Sequence, residues 1–374
     1  MVMRLLYRIC LTLFSVASFP AFSQLESSYP SQAVSYKVLQ DDPGDLNNLW
    51  LHVQPLTVDV MQMNAVVGSG LEVRYLPIPK LELQGGVRGN FINSFDFQRN
   101  SALQGASITT QESKREQGKM VITNSFSRFY NVEIGGFYHI LDDVKDGSSK
   151  IILTDQAVPD KISFPDVIDV NAKSRQILGA RLGFSSLGTT VSVKNALKNQ
   201  NVTLKGDQGT VLSAAGTSSS NGFKTEFNNN SLYSSFHSTG FYIGAGFQRI
   251  KNLSIKTDKQ GIVSNNSILS VYADLMFNPW TNLASIQAQQ VSGTGKEKFD
   301  LSPLSLNKFG GRAGFEIRYN QASFVSVGAE IGYRPSIQGQ GFYGLFKLSI
   351  PTFSFGMGQR KVANNIGKNQ SLSK

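Results

Sequence analysis

The sequence predicts an all-β, antiparallel transmembrane barrel, and three observations carry that expectation. An export-type leader opens the chain, no later stretch approaches the length of an apolar membrane helix, and segments alternating apolar with polar residues recur along most of the length. Charged residues make up 17% of the chain, against a usual level of about 25%. Low charge without long apolar runs points to strands with one greasy face.

The leader reads MVMRLLYRICLTLFSVASFPAFSQ. Arg4 and Arg8 precede an apolar run from Ile9 to about Phe22, and Ala21-Phe22-Ser23 forms a small-x-small end before Gln24. The run is shorter than the roughly 20 residues a bilayer-spanning helix needs. Residues 1–23 are therefore expected to be a cleaved signal peptide. Their removal takes two of the 36 basic residues and none of the 26 acids, which leaves a net charge of +8. Cys10, the only cysteine, leaves with them, so the mature chain has no disulfide framework, thiolate metal site or cysteine nucleophile. The expected organisation continues with an N-terminal periplasmic segment at 24–48, a barrel at 49–350 and a basic C-terminal tail at 351–374.

The strands follow from period-two patterns. In GLEVRYLP, Leu71, Val73 and Tyr75 share one face and Glu72 and Arg74 the other. LELQGGVRGNF repeats this, with Leu81, Leu83, Val87 and Phe91 opposed to Glu82, Gln84 and Arg88. The joining Pro77-Ile78-Pro79-Lys80 suits a hairpin and no helix. Further alternating segments start near Asn131, Arg175, Phe309 and Ser323, and glycines such as Gly135, Gly136, Gly310 and Gly311 lie inside them, where they allow the coiling of a closed sheet.

Short turns are expected at 77–80, 128–130, 185–188, 250–252, 278–282 and 320–322. Long polar stretches fall at 92–117, 141–174 and 195–238, with medium ones near 259–266 and 292–308. Short and long connections then alternate through about 14 strands, short ones in the periplasm and long ones outside the cell. Tyr75, Phe129, Tyr130, Phe184, Phe277, Trp280 and Tyr319 are expected to form one aromatic girdle at the periplasmic interface.

The chain resembles the outer-membrane barrel proteins of the Bacteroidota, including small barrels that accompany the type IX secretion and gliding apparatus. The resemblance lies in the AFS-Q export end, the hairpin GLEVRYLPIPKLELQGGVRGNF, the pair GFYIGAGFQRI and SVYADLMFNP, and the ending GFYGLFKLSIP. It covers about residues 49–350. It implies a barrel exported to the cell outer membrane and an accessory role in an envelope assembly.

Chemical motifs are sparse. His52, His139 and His237 are the three histidines, and no two have metal-ligand spacing. A hydrolase would need a Ser and a His in reach with an orienting third group, so no catalytic residue, metal or cofactor is assigned. Gly293 to Lys298 fails the phosphate-loop pattern, because Gln290 and Glu297 replace its first glycine and its Ser or Thr. Lys and Arg are interleaved with acids, which gives nucleic-acid binding no support. The informative set is the charged face of the strands. Its N-terminal half is Glu72, Arg74, Glu82, Arg88, Glu133, His139 and Arg181. Its C-terminal half is Asp274, Arg312, Glu316, Arg318, Glu330, Arg334 and Lys347. On the lipid face each charge would cost about 2–4 kcal/mol near the midplane, so alternation must turn them into the lumen. They would either select polar solutes or pair into a web that fills the barrel. The expected function is thus a structural or accessory barrel of a secretion-type envelope assembly, with a passive or gated channel for small polar solutes as the alternative. Partners are outer-membrane lipid and, through long loops or the basic tail, other envelope proteins.

Overall fold

In the computed structural model the chain is described over residues 35–106, 120–153, 166–209, 211–213, 216–218, 224–225, 232–258, 261–290, 296–320 and 325–355. The expected signal peptide and the tail beyond residue 355 lie outside these residues. Ten strands close into one barrel. In chain order they are β1 (Leu49–Met61), β2 (Ala65–Ile78), β3 (Leu81–Asn90), β4 (Tyr130–Leu153) and β5 (Asp166–Ser192). There follow β6 (Tyr233–Ile250), β7 (Ser267–Leu283), β8 (Phe309–Tyr319), β9 (Ser326–Tyr333) and β10 (Phe342–Phe355). Every strand pairs antiparallel with the next in sequence, and β10 pairs with β1 to close the ring.

The strand number corrects the expectation of about 14, and the cause is strand length. β4 and β5 run for 24 and 27 residues, so turn-like dipeptides inside long strands imitate strand ends. Ser185 to Gly188 is no turn: it lies within β5, bonded to β4 on one side and β6 on the other. Gly188 is needed there because a Cβ would stand 2.1 Å from the Tyr130 ring. Residues 278–282 likewise belong to β7. Pro279 is accommodated by a bulge, where the pairing of β6 with β7 shifts between Thr239 and Phe241. The stretch 141–174 is no polar loop either, since β4 and β5 stay paired out to Leu153 and Asp166.

The connections sort differently as a result. At one end of the barrel β1 meets β2, β3 ends and β4 starts, β5 ends and β6 starts, β7 ends and β8 starts, and β9 meets β10. At the other β2 meets β3, β4 ends and β5 starts, β6 ends and β7 starts, β8 ends and β9 starts, and the start of β1 and the end of β10 lie there too. An even-stranded barrel keeps its termini in the periplasm, which makes the first end the outer one. The aromatic girdle divides accordingly. Phe241 stands edge-on to Phe184 and to Trp280, and Phe277 stacks on Phe309 at 5.0 Å, all toward the outer end, whereas Tyr75 and Tyr319 lie toward the periplasmic end.

Both ends carry folded bodies. Over the outer mouth, helix α1 (Phe97–Ala106) lies against β5, and helix α2 (Val193–Gln200) and short strands enclose an apolar core of residues such as Leu197, Leu204, Ile286 and Phe299, which continues onto Phe236, Tyr343 and Leu345 of the wall. Asp96 fastens this cap: its carboxylate accepts from Asn64 Nδ2 at 2.8 Å and from the backbone N–H groups of Arg99 and Phe129. Burial pushes its carboxyl above the usual range in spite of those bonds. At the periplasmic end, Tyr36–Asp41 joins Leu253–Thr257 and Gly261–Asn265 in a three-stranded sheet, and Leu253 and Ile255 pack against Ile151, Val170 and Ala172 of the β4–β5 extension. Within the expected segment 24–48, the described part is thus folded onto the barrel.

The orientation predicts a labelling order. In a Cys10→Ser background, Asn199→Cys on the exposed side of α2 reacts with a membrane-impermeant maleimide on intact cells, and Lys256→Cys reacts only after the outer membrane is opened. The reverse order would invert the barrel.

Candidate functional site

Strand alternation decides which side chains enter the barrel. On β7, Leu275 is 71% exposed on the outside while its neighbour Asp274 is 3% exposed inside. The same alternation on β2 places Leu71, Val73 and Tyr75 outside and Glu72 and Arg74 inside. A closed ladder with an apolar exterior leaves no backbone group unpaired against lipid. The chain is therefore a transmembrane β-barrel, and up-and-down bacterial barrels of this kind belong to the outer membrane. Among the described residues, no helix is long and apolar enough to cross a membrane.

The interior is filled in three layers. Toward the periplasm, Trp50, Phe137, Ile177, Ile250 and Ile268 pack together. Toward the outside, the core of the cap closes the mouth. Between them lies a charged layer built around two arginines. Arg74 on β2 donates through Nε to Glu72 on its own strand (2.5 Å), through Nη1 to Glu82 on β3 (2.8 Å), and through Nη2 to Glu316 on β8, across the lumen. Arg312 on β8 donates through Nε to Asp274 on β7 (2.8 Å) and through Nη1 to Glu133 on β4 (2.9 Å), again across the lumen, and its Nη1 lies 3.5 Å from Glu330 on β9.

The remaining charges attach to these two centres. Lys347 Nζ lies 2.9 Å from Glu72 and 3.4 Å from Glu316. Arg318 reaches Glu82 at 3.3 Å, Arg88 reaches Glu133 at 3.2 Å, and Arg181 donates to Asp274 at 2.9 Å. Arg334 stands apart, nearer the outer mouth, donating to both oxygens of Asp59 at 2.8 Å. These bridges join seven cations to seven carboxylates, so the layer is electrically neutral. Of the charged-face residues read from sequence, only His139 takes no part: it is buried against the Phe137 ring at 5.1 Å, and neither ring nitrogen has a hydrogen-bond partner among the described residues.

Aromatic and amide groups that sequence reasoning passed over complete the layer. Glu330 accepts from the hydroxyls of Tyr272 (2.6 Å) and Tyr343. The guanidinium groups of Arg181, Arg312 and Arg334 lie 4.1, 4.5 and 3.7 Å from the ring centroids of Tyr272, Tyr242 and Tyr343. Gln54 donates to Glu72 and Gln248 to Glu82. Asp59 escaped notice for a specific reason. The pairing of β1 slips on both sides around Pro55, so Trp50, His52 and Gln54 point inward before the slip, and Thr57 and Asp59 after it. A strict period of two turns Asp59 to the wrong face.

A barrel of about eight strands is just wide enough for side chains to fill. With ten strands and long Arg, Glu and Tyr side chains, the charged layer keeps a cavity of about 70 Å³. That is room for several waters, since about 10–15 Å³ of such space holds one, and it is under half of the roughly 150 Å³ cavity that admits benzene.

No known protein family and no curated protein matches the sequence. Among solved structures, the chain is similar to the Ralstonia pickettii toluene transporter TbuX, at 8% identity over 82% of this chain and 90% of that one, with a TM-score of 0.25. It is similar to the same degree to the CymD monoaromatic hydrocarbon channel, at 8% identity, 83% and 91% coverage and a TM-score of 0.25. A loop-deletion mutant of OmpT, an outer membrane protein of Vibrio cholerae, aligns at 11% identity over 82% and 99% with a TM-score of 0.17. Superpositions this loose carry no argument, and the assignment above rests on the barrel's own pairing and surface.

Removing one partner from a buried ion pair costs about 3–5 kcal/mol, because the other charge is left uncompensated. Arg312→Met, which takes from Glu330 its cation and leaves Glu133 to Arg88 and Asp274 to Arg181, is expected to lower the unfolding free energy by that amount in urea titrations in detergent. Arg88→Gln, which gives up one 3.2 Å contact of a mostly buried side chain and leaves Glu133 to Arg312, should cost less than half as much. Equal losses would contradict the assignment of Arg312 as a centre.

Proposed function

We propose that this protein is a gated outer-membrane conduit for small polar solutes, closed in the state described. The observation that carries this reading is the neutral layer of ion pairs that bridges the lumen from wall to wall around the central cavity. Buried ion pairs are poor sources of net stability, since apolar side chains of equal volume fill a core as well or better. What they supply is a barrier whose parts can exchange partners, and charged walls that can replace the hydration of a polar solute. The same walls disfavour an apolar solute, which would strip those charges of partners and offer none. A hydrocarbon cargo such as that of the toluene transporter TbuX or the monoaromatic hydrocarbon channel CymD therefore does not suit this lumen.

A second reading is an accessory role in a secretion-type envelope assembly of the Bacteroidota kind. It is favoured by the folded bodies at both ends, which offer protein surfaces on either side of the membrane. Affinity purification in mild detergent separates the two, with stoichiometric partners for the assembly component and an isolated barrel for the conduit.

Planar-bilayer recording tests the first reading. Wild-type protein should rest closed with discrete ohmic openings. The double variant Glu133→Gln, Glu330→Gln, which leaves two uncompensated positive charges in the layer, should shift the permeability ratio several-fold toward anions. Silence across many insertions of both proteins would overturn the conduit.

A further inference from the structure

The two strands that meet across the lumen carry the same tetrapeptide pattern. Glu72-Val73-Arg74-Tyr75 lies on β2 and Glu316-Ile317-Arg318-Tyr319 on β8, four strand positions away around the ring. In each, alternation sends the Glu and the Arg inward together, two residues apart on one face. Yet the two motifs are used differently. Arg74 binds the Glu of its own motif and also reaches over to Glu316. Arg318 is 2% exposed and has one ion-pair contact, the 3.3 Å approach of Nη2 to Glu82, while its Nε and Nη1 have no hydrogen-bond partner among the described residues.

Two unsatisfied nitrogens on a fully buried guanidinium are costly. They are also the donors a second arrangement would require. We infer that the paired Glu-x-Arg motifs form a latch with two states. In the closed state, the one described, Glu316 is held across the lumen by Arg74. In the released state, Glu316 turns to Arg318 on its own strand, as Glu72 already does with Arg74.

The surrounding groups allow this exchange without stranding a carboxylate. Glu72 keeps Arg74, Lys347 and Gln54; Glu82 keeps Arg74 and Gln248; Glu316 keeps Lys347 and gains Arg318. What disappears is the direct bridge between β2 and β8. The tie through Arg74 is then gone, while Arg312 still holds Glu133 across the lumen and Lys347 still lies between Glu72 and Glu316. This latch rests on the gated-conduit reading for its role, but the exchange itself can be tested without any current.

The first measurement is a double-mutant cycle on unfolding in detergent, pairing Arg318→Met with Glu316→Gln, in the wild-type and in the Arg74→Met backgrounds. The coupling between Arg318 and Glu316 should be small in the wild type and should grow at least tenfold in equilibrium constant once Arg74 is gone. Coupling that does not change overturns the exchange. The second measurement is bilayer open probability. Arg318→Met should lower it at least tenfold, Arg318→Lys should restore it, and Glu316→Gln should raise it at least tenfold. Open probability in Arg318→Met equal to or above wild type, in barrels that assemble normally, overturns the latch as the gate. Currents absent from every variant, with the coupling present, overturn the conduit and the gating role together and leave the exchange standing.

Discussion

The structure depends on a few ion pairs that span the inside of a closed sheet. Arg74 and Arg312 each bind carboxylates on their own wall and on the wall opposite, and the other lumen charges, Arg334 and Asp59 excepted, attach through them. In a soluble protein such charges would sit on the surface, where each pair is worth little. Here lipid surrounds the sheet, so the apolar residues go outward and the polar ones have only one another. The inverted pattern turns the interior of the barrel into its polar core.

Ring size and layer chemistry fit together. Ten strands give a lumen that long side chains can cross, so an arginine on one wall reaches a glutamate on the other without a bridging loop. Apolar layers above and below keep bulk solvent from the charges, which strengthens each contact and raises the penalty for an unpaired one. The result is a seal that is neutral and dense but assembled from exchangeable parts. The cap on the outer side is of another kind, a small soluble-type core clasped to the rim through Asp96 and Asn64.

Much of this was legible in the sequence because strand geometry has a strict period. Glu72, Arg74, Glu316 and Arg318 alternate cleanly with Leu71, Val73, Phe315 and Ile317, and burial follows that parity. Partners were not legible, since nothing local says that residue 74 meets residue 316. Strand count failed where a long strand holds residues that elsewhere make turns, as at Ser185 to Gly188 in β5 and at Pro279 in β7. Asp59 was lost to the slip around Pro55, which reverses the faces within one strand. In each case information from the neighbouring strand outweighed the local signal.

The most direct measurement of a paired, water-poor lumen is the rate at which a dicarbonyl reagent such as phenylglyoxal modifies each arginine of the intact barrel in detergent, read by mass spectrometry. Arg128, exposed beside the outer mouth, sets the reference rate. The account predicts that Arg74, Arg312 and Arg318 react at least tenfold more slowly than Arg128. Rates equal to that of Arg128 would mean an open, hydrated lumen and would contradict it.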